Sequence, residues 1–177
     1  YQARDWAHGV LVGAGMASET TAAATGDVGV VRRDPMAMKP FAGYNFGDYW
    51  AHWLSMPGRV KKLPGVFHVN WFRRDAKGRF LWPGYGENLR VLAWIIDRCK
   101  GTAPALDTPI GAVPTRQALD FRGLDIDEST IEELLAVDAA SWRTEADEIG
   151  AYLESYGARL PAGLLAEVTK LKQRLGS

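Results

Sequence analysis

The 177 residues are enough for one domain with a real core, and their 47% hydrophobic and 24% charged content is that of an ordinary soluble globular protein. Lys+Arg and Asp+Glu both number 21, so the net charge is zero. This excludes general nucleic-acid binding and a polybasic membrane role, both of which need a basic excess. One cysteine, Cys99, rules out an internal disulfide and a cysteine-based metal cluster, and points to a reducing, cytoplasmic setting. No run approaches the ~18 apolar residues of a membrane helix, and "YQARDWAHG" has no signal-peptide pattern. The chain opens on Tyr1 rather than Met, as a piece of something longer would.

Val10 to Ala14, in "HGVLVGAG", is a short apolar run closed by Gly13 and Gly15, and predicts a buried strand. "MASETTAAATGDVG", residues 16–29, has no large apolar side chain between Met16 and Val28 to anchor it. Its alanines would suit a short helix, but a compact surface loop is the better reading, and such loops are candidate lids. Asn45 predicts the N-cap of a helix from about Phe46 to Met56, with Phe46, Trp50, Trp53 and Leu54 at helical spacing and Pro57–Gly58 ending it. "GVFHVNWFRR" predicts a strand from Val66 to Arg73, "DAKG" (Asp75–Gly78) a turn, and "RFLW" the return strand. "PGYGEN" then bends the chain into a helix from about Glu87 to Lys100, with Leu92, Ile95, Ile96 and Cys99 as its buried face and Gly101 as C-cap. "TPIGAVP" reads as a short strand. The last third reads as helical. Ser129-x-x-Glu132 is a capping box; Asp138 can cap a helix whose Trp142, Ile149, Leu153 and Tyr156 share a face, closed by Gly157. Pro161 opens a final helix with Leu164, Val168, Leu171 and Leu175 inside. Strands and loops first, then helices, give a mixed α/β or α+β fold.

His8, His52 and His68 are far apart without a paired carboxylate pattern, so no metal site made by this chain alone is expected. Cys99, on an apolar helix face, reads as an inert buried thiol. Neither the phosphate loop G-x-x-x-x-G-K-[ST] nor a nucleophile elbow occurs, so the chain holds no complete catalytic constellation. The sharp feature is the crowding of Trp71, Phe72, Phe80, Trp82 and Tyr85 around Pro83, Gly84 and Gly86, followed by Glu87 and Asn88. Phe72 and Phe80 can meet across a hairpin, and Tyr85 follows on a Gly-flanked bend. Such rings either pack the core, which is the default, or form a slot in which a planar base stacks. In the second case the helix N-terminus and the Asn88 amide offer N–H groups that suit the carbonyl of guanine, where adenine carries a donor.

The stretch "FHVNWFRRDAKGRFLWPGYGENLRVLAWI" closely resembles the C-terminal part of the GTP-dependent phosphoenolpyruvate carboxykinases, which carry N-W-F-R-x-D…G-x-F-L-W-P-G-[FY]-G-E-N-x-R-V-L. "HGVLVGA", "SETTAAA", "DPMAMKPFAGYNFGDYWAHWL", "TPIGAVP" and "EELLAVD" resemble the family too, so the similarity runs over essentially all 177 residues. The resemblance implies roughly the last third of a longer monomeric enzyme. It implies the C-terminal part of the nucleotide-binding lobe: a lid about residues 18–29, a guanine-pocket segment 70–88 and a helical tail 129–175. It implies oxaloacetate, phosphoenolpyruvate and GTP or GDP as ligands, in gluconeogenesis. Phe72, Phe80 and Tyr85 become the walls of the guanine pocket, and Gly86, Glu87 and Asn88 complete it, with Asn88 reading the base. Ser18, Glu19, Thr20, Thr21, Ala22, Ala23, Ala24, Thr25 and Gly26 become the lid. Tyr85 stands where many members have Phe; Ala17 stands where some have Arg, and Thr25–Gly26–Asp27 is less charged than in animal members. The manganese or magnesium ligands, the phosphate loop and the substrate arginines of the family lie N-terminal to Tyr1, so by the resemblance this chain holds no catalytic residue and is inactive without the remaining N-terminal part. The alternative is a stand-alone purine-nucleotide-binding module without chemistry.

Overall fold

The computed structural model describes residues 1–19 and 30–176. The polypeptide folds into two compact units, Arg4–Val66 with Ala139–Ser177, and Tyr1–Ala3 with Phe67–Asp138. Both carry helices and small antiparallel sheets, so the fold is mixed α/β. Among the described residues no helix is long and apolar enough to cross a membrane.

The first unit begins with α1, Trp6–Ala14, where the sequence reading expected a strand. The reason is local and tertiary together. Asp5 caps the helix, its carboxylate accepting the His8 backbone N–H at 2.8 Å. The apolar run is also too short to separate a buried strand from a buried helix by period alone. Val10, Leu11 and Ala14 sit in the core with Phe46, Trp50, Ile149, Leu153, Leu164 and Val168. Gly9 lets the helix come close to Val66, since a Cβ there would lie 2.6 Å from Val66 Cγ2.

After α1, β1 (Ala17–Glu19) pairs antiparallel with β2 (Val31–Arg33), Ser18 opposite Arg32. Ser18 and Glu19, expected in a loop, are therefore strand residues. Thr20, Thr21, Ala22, Ala23, Ala24, Thr25 and Gly26 lie outside the described residues. Arg33 fastens the ribbon: its guanidinium donates to Glu145 Oε1 at 2.6 Å, to Glu148 Oε2 at 3.1 Å and to the Gly15 carbonyl at 2.9 Å. Ser18 Oγ donates to the buried Asp34 at 2.7 Å.

α2, Phe46–Leu54, is capped as expected: Asn45 Oδ1 accepts the Gly47 N–H at 2.8 Å. Among the described residues this unit also carries the α-helices α5, Ala139–Glu154, and α6, Ala162–Arg174, which follows Pro161. Leu164, Val168, Leu171 and Leu175 are buried as their spacing predicts, as are Ile149 and Leu153.

In the second unit β3 (Ala105–Thr108) pairs with β4 (Gly111–Pro114), and Gln2 adds to its edge through two backbone hydrogen bonds with Ala112. The expected strand from Val66 to Arg73 is absent as a ladder. Phe67 makes an isolated bridge to Gln2, and Arg74 one to Phe80. α3, Asn88–Lys100, ends on Gly101 as expected, but presents a different face to the core. Trp94 is buried, with Val91 and Ile95 packed beside it, whereas Leu92, Ile96 and Cys99 are exposed. The inward stripe continues to Arg98, whose guanidinium bonds Gln2 Oε1 and the Ala103 carbonyl. An arginine whose stem lies inward disguises that stripe in an apolar pattern. The thiol of Cys99 is thus exposed rather than buried. α4, Glu128–Leu135, is capped by Asp127 rather than Ser129: Asp127 Oδ1 accepts the Thr130 N–H at 2.7 Å, and Ser129 Oγ donates to the same carboxylate.

Candidate functional site

The candidate site is built on residues 70–90 of the second unit. Asp75 makes the turn. Its N–H donates to the Arg79 carbonyl, its carbonyl accepts the Gly78 N–H, and its Oδ1 accepts the N–H groups of Lys77 and Arg79, each at 2.9 Å. These donors hold the Asp75 carboxyl below the usual carboxylate range, the Arg79 backbone contributing most. The Arg74–Phe80 bridge and the Leu81 N–H bond to the Arg73 carbonyl at 2.9 Å close the hairpin.

That register sets Phe72 opposite Trp82, which in a regular ladder would share a face. They do not. Asn70 Oδ1 accepts the Phe72 N–H at 2.9 Å, an Asx turn that swings the Phe72 ring outward. Trp71 and Trp82 pack together with ring centroids 6.0 Å apart, and both belong to the core around Trp94, Leu119, Phe121 and Ile131. Trp71 and Trp82 thus lie inward and Phe72 outward, a division made by the Asn70 turn rather than by strand alternation.

Phe72 is 69% exposed, Phe80 52% and Tyr85 91%, so these three rings do not pack the core of this chain. Phe72 and Phe80 come together at 6.3 Å with planes 63° apart, a corner rather than two parallel walls. The Arg74 guanidinium lies 3.9 Å from the Phe80 ring centroid and covers one face of it, a contact the sequence reading missed. Its signal was the hairpin register, which sets Arg74 opposite Phe80.

Gly84, at φ 135°, makes the bend that only glycine takes easily, and a single 3-10 turn, Tyr85–Glu87, leads into α3. The N–H groups of Glu87 and Asn88 donate to the carbonyls of Gly84 and Tyr85. At these two positions the backbone is therefore not free to receive a base carbonyl, contrary to the expectation from the helix N-terminus. The Glu87 carboxylate accepts Arg90 Nε at 2.6 Å, and Arg90 also donates to the Asp120 carbonyl at 2.7 Å. Glu87 is thus turned toward its own helix. Gly86 has open space where a side chain would stand. Asn88, half-buried, accepts the indole N–H of Trp82 on Oδ1 at 2.9 Å. The structure therefore gathers Phe72 and Phe80 at a hairpin corner, with Tyr85 to Asn88 on the turn that starts α3. It is a surface with flat apolar rings and one side-chain amide, suited to stacking and to hydrogen bonding the edge of a planar ring.

Comparison with known proteins identifies the relatives. Residues 1–174 match the family described as phosphoenolpyruvate carboxykinase C-terminal P-loop domain. A phosphoenolpyruvate carboxykinase (GTP) of Renibacterium salmoninarum is 54% identical over 177 residues, covering 99% of this chain and 29% of the relative. One of Neocallimastix frontalis is 52% identical over 178 residues, with the same 99% and 29% coverage. The chain thus spans 29% of the length of these curated relatives.

Proposed function

The chain belongs to the GTP-dependent phosphoenolpyruvate carboxykinase family, and from that premise we propose that it is the guanine-binding portion of an enzyme interconverting oxaloacetate and GTP with phosphoenolpyruvate, CO2 and GDP. In that reaction the carboxylate C–C bond of oxaloacetate breaks and CO2 leaves. The electron pair stays as an enolate, whose oxygen attacks the γ-phosphorus, and GDP departs with the electrons of the broken P–O bond. Phe72, Phe80 and Tyr85 hold the base, Gly86 leaves room beside it, and Asn88 reads its carbonyl. Glu87, paired with Arg90, stabilises the turn that carries them. The observation that carries this reading is the exposure of Phe72, Phe80 and Tyr85, the first two in contact at the hairpin corner and the third on the turn that leads to Asn88.

Manganese or magnesium would neutralise phosphate charge in the complete enzyme. Among the described residues no three His, Cys, Asp or Glu side chains gather to hold a cation. Residues 18–29 act as the lid. Strand pairing and the Arg33 contacts to Glu145, Glu148 and Gly15 support this by fastening both of its roots. A closed lid keeps water from protonating the enolate to pyruvate. Ala23→Gly in the complete enzyme should raise pyruvate release relative to phosphoenolpyruvate; unchanged partitioning removes the lid assignment.

Tryptophan fluorescence tests the base site, because the Trp82 indole bonds Asn88 and packs against Trp71. Titration of the complete protein with GDP should change the emission at concentrations where ADP does not. Equal responses to GDP and ADP would contradict guanine recognition.

A further inference from the structure

We propose that Trp82 is a positioning residue for base recognition: its indole N–H fixes which end of the Asn88 amide meets the nucleotide. The inference rests on the guanine-site reading above and adds a residue to it. An asparagine amide is ambiguous by itself, since rotating it by half a turn exchanges an acceptor for two donors. At Asn88 the ambiguity is removed. The indole Nε1–H of Trp82 only donates, and it lies 2.9 Å from Asn88 Oδ1. Trp82 is 7% exposed and locked among Trp71, Trp94, Leu119, Phe121 and Ile131, so it does not turn to follow a flipped amide.

The oxygen end of Asn88 is therefore committed inward, and the Nδ2 hydrogens are the end left to a ligand. The N–H groups of Glu87 and Asn88 do not substitute for them, because both are used within the 3-10 turn. A base with a carbonyl at position 6, guanine or hypoxanthine, accepts from Nδ2. Adenine brings a 6-amino donor, which meets the outward Nδ2 donor unless the amide reverses. Reversal sets the Asn88 NH2 against the indole N–H and leaves a buried donor without a partner, an expensive state. Discrimination then comes from the core beneath the site as well as from the residue that touches the base.

The test is the nucleotide preference of the complete enzyme, read as kcat/KM for GTP, ITP and ATP. Trp82→Phe keeps a ring in the core and removes the N–H. Its preference for GTP over ATP should fall about tenfold, which corresponds to about 1.4 kcal/mol. The preference for ITP over ATP should fall in parallel, and the change should appear in nucleotide KM while the KM for oxaloacetate stays. An unchanged GTP-to-ATP ratio overturns the proposal, as does an equal rise in the KM of all three nucleotides, which marks simple packing. Should Trp82→Phe fail to fold, replacing the Trp82 indole by its sulfur isostere, which has the same shape and no N–H, gives the same readout. Asn88→Asp separates the two layers. A carboxylate still accepts from Trp82 but offers adenine an acceptor, so the preference should shift toward ATP. If Asn88→Asp leaves the GTP preference intact, the base-reading role of Asn88 itself fails. If it shifts the preference while Trp82→Phe does not, only the role of Trp82 fails.

Discussion

Truncating Phe80 to alanine separates a ring that holds a ligand from a ring that holds the fold. Phe80 is 52% exposed, with Phe72 meeting it at 63° and the Arg74 guanidinium on one face. About half of its surface is thus already in water, and its removal should cost stability only roughly 1 kcal/mol, half of what a fully buried Phe contributes. Base–aromatic stacking contributes about 1–3 kcal/mol per ring. Arg74 leaves a single face open, so the middle of that range is expected. At about 1.4 kcal/mol per factor of ten, Phe80→Ala should raise the KM for GTP about 10- to 30-fold. The assay is initial rate with GTP and oxaloacetate each varied in the complete enzyme. The KM for oxaloacetate should hardly move, and Phe80→Tyr should restore most of the GTP affinity. An equal rise in both KM values, or an unmoved KM for GTP, would refute the reasoning and make Phe80 a packing residue.

Gly9→Ala should destabilise the fold by about 1 kcal/mol: overpacking costs about 1–3 kcal/mol, and the gain in helix propensity offsets up to about 1. The new methyl would meet stiff Val66 atoms at 2.6 and 2.8 Å, and a raised melting temperature would show that the approach of Val66 does not require glycine. Burial pushes His8 down from 6.5 to about 4, with Arg174 adding to the shift and Glu167 and Asp5 opposing it. The unfolded chain therefore binds the extra proton between pH 6.5 and 4, and stability should fall by about 2 kcal/mol from pH 7 to 5. His8→Asn keeps an acceptor for the Arg4 N–H, which the His8 ring accepts at 3.1 Å, and should flatten that part of the pH dependence of the unfolding midpoint; an identical slope in both proteins would contradict it. Asp127→Ala should speed hydrogen exchange at the Thr130 amide, whereas Ser129→Ala should leave it slow, because the cap is Asp127. The reverse order would restore the capping box at Ser129.

Elements with their own punctuation were legible in the sequence. Asn45, Asp75–Gly78, Gly101 and Pro161 each mark a boundary through a local hydrogen bond or a fixed backbone angle, and the structure uses each there. Faces decided by tertiary contact were not. Helix α1 looked like a strand because four or five apolar residues carry no usable period. In α3 the inward stripe of Val91, Trp94 and Ile95 runs on to a polar Arg98, so apolar spacing selected the exposed Leu92, Ile96 and Cys99 instead. At the candidate site the composition identified the rings, but not their arrangement. The outward turn of Phe72 depends on Asn70, and the orientation of Asn88 on a tryptophan six positions earlier. Neither link is periodic, so neither is visible until the chain is folded.

A structure of the complete protein with GDP tests the guanine assignment most directly. The base should stack against Phe80 on the face opposite Arg74, with Phe72 and Tyr85 beside it and Asn88 Nδ2 within hydrogen-bond distance of O6. A base seated elsewhere, or one whose O6 is met by other groups while Asn88 turns away, would contradict it.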